Sequence, residues 1–294
     1  MKWFEIKEQS AGTKRLFITW IIFKIFGAKG LYILTFFVAF FTFVCSKNIR
    51  SYSKKYLSVI EKYTKIKPSL MNQFKHIYSY ALSLADKIIL FSGNYNPNNI
   101  IFNNENDKIE MLETINQKKG VFFICSHIGN IEMLQSLFTD KKINTDFGIN
   151  VFMSNSQSQI FNKFLDSIKI DMPINIFKVE EIGLNTGIEL KENLDKGDIV
   201  FIAGDRLSAN NGDKTINSEI FNHRILLPLG TFTMAKLMNV PIYFISVIKN
   251  NNKYNVYLQK SNNPENITQD YANFLEKMTL IAPFQFYHFY DFFE

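Results

Sequence analysis

His127 and Glu132 lie five residues apart in His127-Ile128-Gly129-Asn130-Ile131-Glu132, directly after the apolar run Gly120 to Ser126. On one unbroken helix of ~3.6 residues per turn, their side chains would point about 140° apart and could not meet. A strand, a tight turn at Gly129-Asn130 and a new helix would let the carboxylate fold back on the imidazole, fix its tautomer and stabilise its charged form. The pair then reads as a general base and its orienting partner, suited to take a proton from a hydroxyl that attacks an acyl carbonyl. Helix-start N–H groups would lie near the developing oxyanion. The competing reading of His127 is a structural imidazole at a strand end.

A second cluster, Gly204-Asp205-Arg206, follows the run Asp198 to Ala203. A guanidinium at a strand end binds phosphate or phosphopantetheine, and Asp205 would aim it or another donor; a plain surface ion pair is the alternative. A third segment, Leu226-Leu227-Pro228-Leu229-Gly230-Thr231, leads into a helical stretch. Thr231 would serve as its N-cap, and the residues from Pro228 through Gly230 would shape a pocket wall or a simple turn. His76, His223 and His288 are expected to be structural or exposed. No pair of histidines has metal-ligand spacing, so no metal site is expected. Cys45 and Cys125 both sit inside apolar runs and read as buried free thiols in a reducing compartment, with neither a disulfide framework nor a zinc site.

The elements that must carry these groups alternate. Gly120 to Ser126, Asn150 to Met153, Ile174 to Val179, Asp198 to Ala203 and Val240 to Ile248 are short β-rich apolar runs. Helical stretches around Ile131 to Phe138, Gln157 to Ile168, Gly183 to Leu194 and Thr231 to Met238 separate them. This predicts an α/β fold, a mostly parallel central sheet flanked by helices, with Tyr254 to Gln259 as an antiparallel edge strand. Ligands of such sheets collect beyond the carboxyl ends of the strands, where His127 and Asp205 would share one edge. Before this unit, residues 47–92 read as two helices broken near Pro68, and the Asn-rich stretch Asn94 to Asn106 reads as a loop.

The chain of 294 residues is 47% hydrophobic and 20% charged, which excludes a disordered protein. Its net charge of +6 is unevenly placed: residues 1–67 hold 13 of the 33 basic but only 3 of the 27 acidic side chains. There the basic residues accompany a nearly continuous apolar run from Leu16 to Cys45, which suits an anionic membrane surface and argues against a nucleic-acid partner. Residues 1–67 are therefore expected to form an N-terminal helical membrane anchor, bent at Gly27 and Gly30, and residues 68–294 the α/β domain. The uncharged piece Gly30 to Ser46 is 17 residues, about 25 Å of helix against a hydrocarbon core of ~30 Å. A single span, a helical hairpin and an interfacial anchor stay open. A cleaved signal peptide is not expected, because the apolar region is long and no small-residue cleavage site follows it. The close, Pro283 to Phe293, holds seven aromatic residues in eleven positions, read as core closure, acyl-channel lining or interface contact.

Taken together, Trp3 and the apolar start, GVFFICSHIGNIEML at 120–134, INVFMSNSQSQIFNKFL at 149–165, GDIVFIAGDR at 197–206, ILLPLGTFTMAKLMNVPIYF at 225–244 and the aromatic close resemble the bacterial lipid A biosynthesis (lauroyl/myristoyl) acyltransferases of the lysophospholipid acyltransferase superfamily. The resemblance implies an HxxxxE motif with His127 as base and Glu132 as its partner. It places Asn130 at a polar position of that motif, Asp205 and Arg206 in a second block near a head group, and Pro228, Gly230 and Thr231 along the site. It further implies an acyl carrier protein or acyl-CoA donor, a membrane lipid acceptor such as a lipid A precursor or lysolipid, no cofactor, and the cytoplasmic face of a bacterial inner membrane. The family's second block often carries a basic residue where this chain reads Ser154-Asn155-Ser156, so the acceptor stays open. The rival expectations are a catalytically silent lipid-binding or scaffold protein of the same fold, and a lipid or thioester hydrolase. The hydrolase lacks an evident activated Ser or Cys.

Overall fold

The computed structural model describes residues 13–92, 96–134, 147–154, 174–207 and 214–294. The first helix, α1 (Thr13–Cys45), is interrupted at Gly27, whose φ of 64° and ψ of −166° lie outside helical geometry; Gly30 stays within the helix. At the other end Arg50 donates to the carbonyls of Phe43 and Val44, which have no intrahelical partner. Ser46 caps α2 (Lys47–Thr64) by accepting from the Ile49 N–H, and Ser69 caps α3 (Leu70–Phe91) by accepting from the Asn72 N–H. The break between them holds Lys65 in the left-handed region and Pro68.

α3 runs antiparallel to α1. Phe74 near its start packs edge-on against Phe36, Phe40 and Phe43, while Ala85, Ile88 and Ile89 near its end meet Phe23 and Leu31. The opposite face of α1, including Ile25, Phe26, Ile33, Phe37 and Phe41, is exposed. Thr19–Cys45 is long and apolar enough to cross a membrane. α2 also lies within residues 1–67, yet its Tyr56, Leu57 and Ile60 are buried in the same core as Phe122, Val200, Phe244 and Tyr271.

The rest is α/β. Seven strands, β1 (Ile100–Phe102), β2 (Val121–Gly129), β3 (Ile149–Met153), β4 (Ile174–Lys178), β5 (Ile199–Ala203), β8 (Ile242–Asn250) and β9 (Lys253–Lys260), form one sheet in the order β1-β9-β8-β2-β5-β3-β4. Only the β8–β9 pair is antiparallel. A separate antiparallel hairpin, β6 (Thr215–Ile220) and β7 (His223–Pro228), precedes the crossover to β8. Helices α4 (Glu105–Asn116), α5 (Leu184–Asp195), α6 (Leu229–Met238) and α7 (Ile267–Ile281), with four short 3-10 turns, complete the described elements. Alternation along β2 sends Phe122 and Ile124 into one core, and Val121, Phe123 and Cys125 into the other, so both faces of the sheet are covered.

Several expectations need correction. β2 runs three residues further than expected, so His127 is part of the strand, and a single 3-10 turn, Ile131–Leu134, follows it. β1 lies inside the stretch expected to be a loop. α6 begins at Leu229 with Pro228 as its cap, so Thr231 is inside the helix rather than its N-cap. Cys125 is buried, but Cys45 is exposed. Trp3, Asn155, Ser156, the helix expected over Gln157 to Ile168 and the continuation of the Ile131 stretch to Phe138 lie outside the described residues.

Candidate active site

β2 is the central strand of the site, flanked by β8 and β5. Its pairing with β8 runs in register to Cys125–Ile245 and resumes at Gly129–Val247, so four steps on β2 match two on β8. The surplus is a bulge over Ser126, His127 and Ile128, and a bulge re-aims the side chain it carries. Ser126 and Ser246 hydroxyls pair at 2.9 Å beneath it, and the Ile128 N–H donates to Ser126 Oγ. Gly129 ends the bulge at φ +76°, where a Cβ would stand 2.0 Å from the Val247 carbonyl oxygen; only glycine fits both demands.

Opposite the bulge, β5 ends at Ala203 and the chain turns through Gly204, Asp205 and Arg206. The Gly204 N–H donates to the Cys125 carbonyl at 2.9 Å, which brings Asp205 directly under His127. Asp205 Oδ1 lies 2.8 Å from His127 Nδ1, and Oδ2 accepts from the His127 backbone N–H at 2.6 Å. A third donor comes from the C-terminal tail: His288 Nε2 lies 2.9 Å from Oδ2. Asp205 and His288 are fully buried, whereas the His127 side chain is 30% exposed.

The tail is built into this edge of the sheet. Gly129 N–H donates to Gln285 O, Ile128 bridges Phe286, Tyr287 N–H donates to His127 O, and Arg206 donates to Tyr287 O at 2.8 Å. His76 supports it from α3, with Nε2 2.6 Å from Phe286 O and Nδ1 3.0 Å from Ser53 Oγ.

Glu132 does not orient His127. Its carboxylate is ion-paired with Lys87 of α3, and the Nδ1 partner is Asp205. Among the described residues the stretch after Asn130 is the 3-10 turn Ile131–Leu134, and Lys87 lies close enough to capture the acid. Asn130 itself is buried, donating through Nδ2 to Ser83 O at 3.0 Å, with Oδ1 unpaired among the described residues. It lines a cavity of about 250 Å³ together with Ser79, Ser83, Asp86, Lys249 and Tyr287. Thr231 is buried and reaches Ala203 O at 3.4 Å, while Pro228 and Gly230 stand at the start of α6, Gly230 exposed. The structure thus joins His127, Asp205 and Arg206 and adds His288, which sequence reasoning placed among the structural histidines.

The electrostatics favour a neutral imidazole on an ionised acid. Burial, seconded by the Arg206 charge, lowers the His127 pKa against the opposing pull of Asp205. Burial alone would raise the Asp205 carboxyl, but His127 and His288 outweigh it and hold it well below the usual range. Glu132 is likewise held down, Lys87 overcoming the effect of burial. With its Nδ1–H donated to Asp205, His127 keeps a lone pair on Nε2, which makes no hydrogen bond among the described residues: the arrangement of a general base. The nearby thiol is unsuited to nucleophilic attack, since burial pushes Cys125 far up.

His127, Asp205 and His288 also offer three possible metal-ligand atoms within 4.8 Å of one another. Their contacts of 2.8 and 2.9 Å are hydrogen-bond distances, shorter than the ~3.3 Å between ligands placed ~2.0–2.2 Å from a tetrahedral ion. The geometry is that of shared protons.

No protein-family model matches the chain, and no curated protein matches it significantly. Fold and site define an α/β protein with an imidazole–carboxylate pair at the carboxyl edge of its parallel strands, and further assignment rests on that pair.

Proposed function

We propose that the chain is a membrane-associated acyltransferase that moves a fatty acyl group from an acyl thioester to a hydroxyl of a lipid acceptor. The observation that carries this reading is the His127–Asp205 pair, its imidazole partly exposed at the strand ends. The motif blocks that resemble the lipid A acyltransferases support it, as does the exposed apolar face of α1. In this reading the acceptor hydroxyl gives its proton to His127 Nε2 as its oxygen bonds to the thioester carbonyl carbon. The carbonyl electrons move to oxygen, the tetrahedral intermediate collapses, and the C–S bond breaks. The leaving thiolate recovers the proton from Nε2, and Asp205 stays ionised throughout, stabilising the transient imidazolium.

The exposed face of α1, with Lys24, Lys29, Lys47 and Arg50 around it, would hold the site at an anionic lipid surface, the cytoplasmic face of a bacterial inner membrane. One side of α1 lies along α3 and Tyr32 donates to the buried Asp86 at 2.7 Å, which favours a helix seated at the interface over one surrounded by lipid. The donor in this reading is acyl carrier protein or acyl-CoA.

The test is mass spectrometry of total lipids from cells that carry the wild-type gene, lack it, or carry His127→Ala. The reading expects one lipid to lose a single acyl chain in the last two, with His127→Ala protein present at the wild-type level. Unchanged lipids across the three strains would sink it in favour of a silent lipid-binding protein. A covalent acyl-enzyme trapped from the wild type would move the assignment to a hydrolase.

A further inference from the structure

We propose that His288 is a positioning residue of this site: its Nε2–H bond to Asp205 holds the carboxylate in the orientation that keeps the His127 proton on Nδ1 and the lone pair on Nε2. Its catalytic consequence rests on the acyl-transfer reading, but the positioning itself does not.

The argument starts from the buried carboxylate. His127 supplies two donors to Asp205, its backbone N–H and Nδ1–H, and both come from one residue on one side. They engage one oxygen each, so the carboxylate's orientation is set by His127 alone and follows any shift of that residue. His288 adds a third donor from a different element, and three donors on two oxygens leave one orientation. His288 is itself immobilised. Its ring stacks on Phe292 at 4.6 Å and 13°, and meets Phe286 and Tyr290 edge-on at 4.5 and 5.2 Å. The backbone beside it is pinned by the bonds of Tyr287 to His127 and Arg206.

His76 shows what a purely structural buried histidine looks like in this fold, with both ring nitrogens hydrogen-bonded. His288 differs. Among the described residues its buried Nδ1 has no hydrogen-bond partner, and the one ring hydrogen bond goes to the acid of the site. Because a carboxylate only accepts, Nε2 must carry the proton, and burial keeps the ring neutral, pushing it down to about 4. A neutral ring with a fixed tautomer donates one hydrogen bond to Asp205 without bringing the second positive charge that would compete with His127 for it.

The chain has four histidines, so ¹⁵N-histidine labelling of the full-length protein in detergent reads each ring. At neutral pH the wild type should show His288 protonated on Nε2 alone and His127 on Nδ1. His288→Phe, which keeps the aromatic packing, should convert His127 to a mixture of tautomers. It should also lower kcat about 10-fold or more with little change in KM. His288→Gln, which restores an N–H at similar reach, should return both. An unchanged His127 signature in His288→Phe overturns the proposal. So does a wild-type His288 carrying its proton on Nδ1, a measurement that holds even where the Phe variant fails to fold. A tautomer shift in a protein whose wild type transfers no acyl group would uphold the positioning and remove the acyl-transfer reading instead.

Discussion

The proton that decides the chemistry of this site sits between His127 Nδ1 and Asp205, groups 78 residues apart in sequence and 2.8 Å apart in space. An amide at position 205 would keep the shape and lose the charge that opposes the developing imidazolium. Asp205→Asn should therefore reduce the proposed acyl transfer by ~10²-fold or more. Glu132→Gln breaks only the ion pair with Lys87, partly exposed on both sides, and should cost less than about a tenth of that factor. Rates measured on folded protein compare the two; an equal or larger loss at Glu132 would restore that acid to the orienting role. His127 and Asp205 were legible because each closely follows an apolar β-rich run, which puts both at one sheet edge. Their partnership was hidden by a nearer carboxylate, because the role of Lys87 depends on how α3 docks. His288 was hidden by its setting: an imidazole among seven aromatics has no local signal that it faces an acid 83 residues away.

At the scale of elements, the bulge in β2 is the device that turns a buried strand residue into an accessible one. Gly129 closes it, and Gly129→Ala would cost about 1–3 kcal/mol from the positive φ alone. A Cβ 2.0 Å from the Val247 oxygen would force β2 and β8 apart in addition. The expected result is a melting temperature lower than that of an alanine substitution at half-buried Gly187, where a Cβ meets nothing within 4 Å. Equal melting temperatures would mean that the bulge has room to relax. The parallel strands were readable because two-sided burial writes them as continuous apolar runs. The β6–β7 hairpin was not. Thr215–Ile220 reads TINSEI, with one face packed and the other wet, and such a short alternating run between polar residues resembles a loop. The extent of β2 was missed for a related reason: the bulge interrupts the two-residue period at the very residues that matter.

Across the whole molecule, two neutral histidines are buried in the native state, His76 and His288, both pushed by burial from an ordinary value near 6.5 to about 4. Below pH 6.5 the unfolded chain binds protons that the native one refuses, so stability falls as pH drops from about 6.5 to about 4 and is fully present above that window. Thermal melts in detergent between pH 4 and 8 should show a plateau above neutrality and a decline beginning near pH 6.5. A flat profile would contradict the burial of both rings. These histidines also set the order in which the molecule becomes complete. His76 and the Phe286 carbonyl it holds are separated by 210 residues, which a ribosome adding ~5–20 residues per second takes ~10–40 s to traverse. A nascent copy thus presents the exposed apolar face of α1 long before the closing strap arrives to seat the proton of His127, and in the proposed reading unfinished chains are inert while they wait.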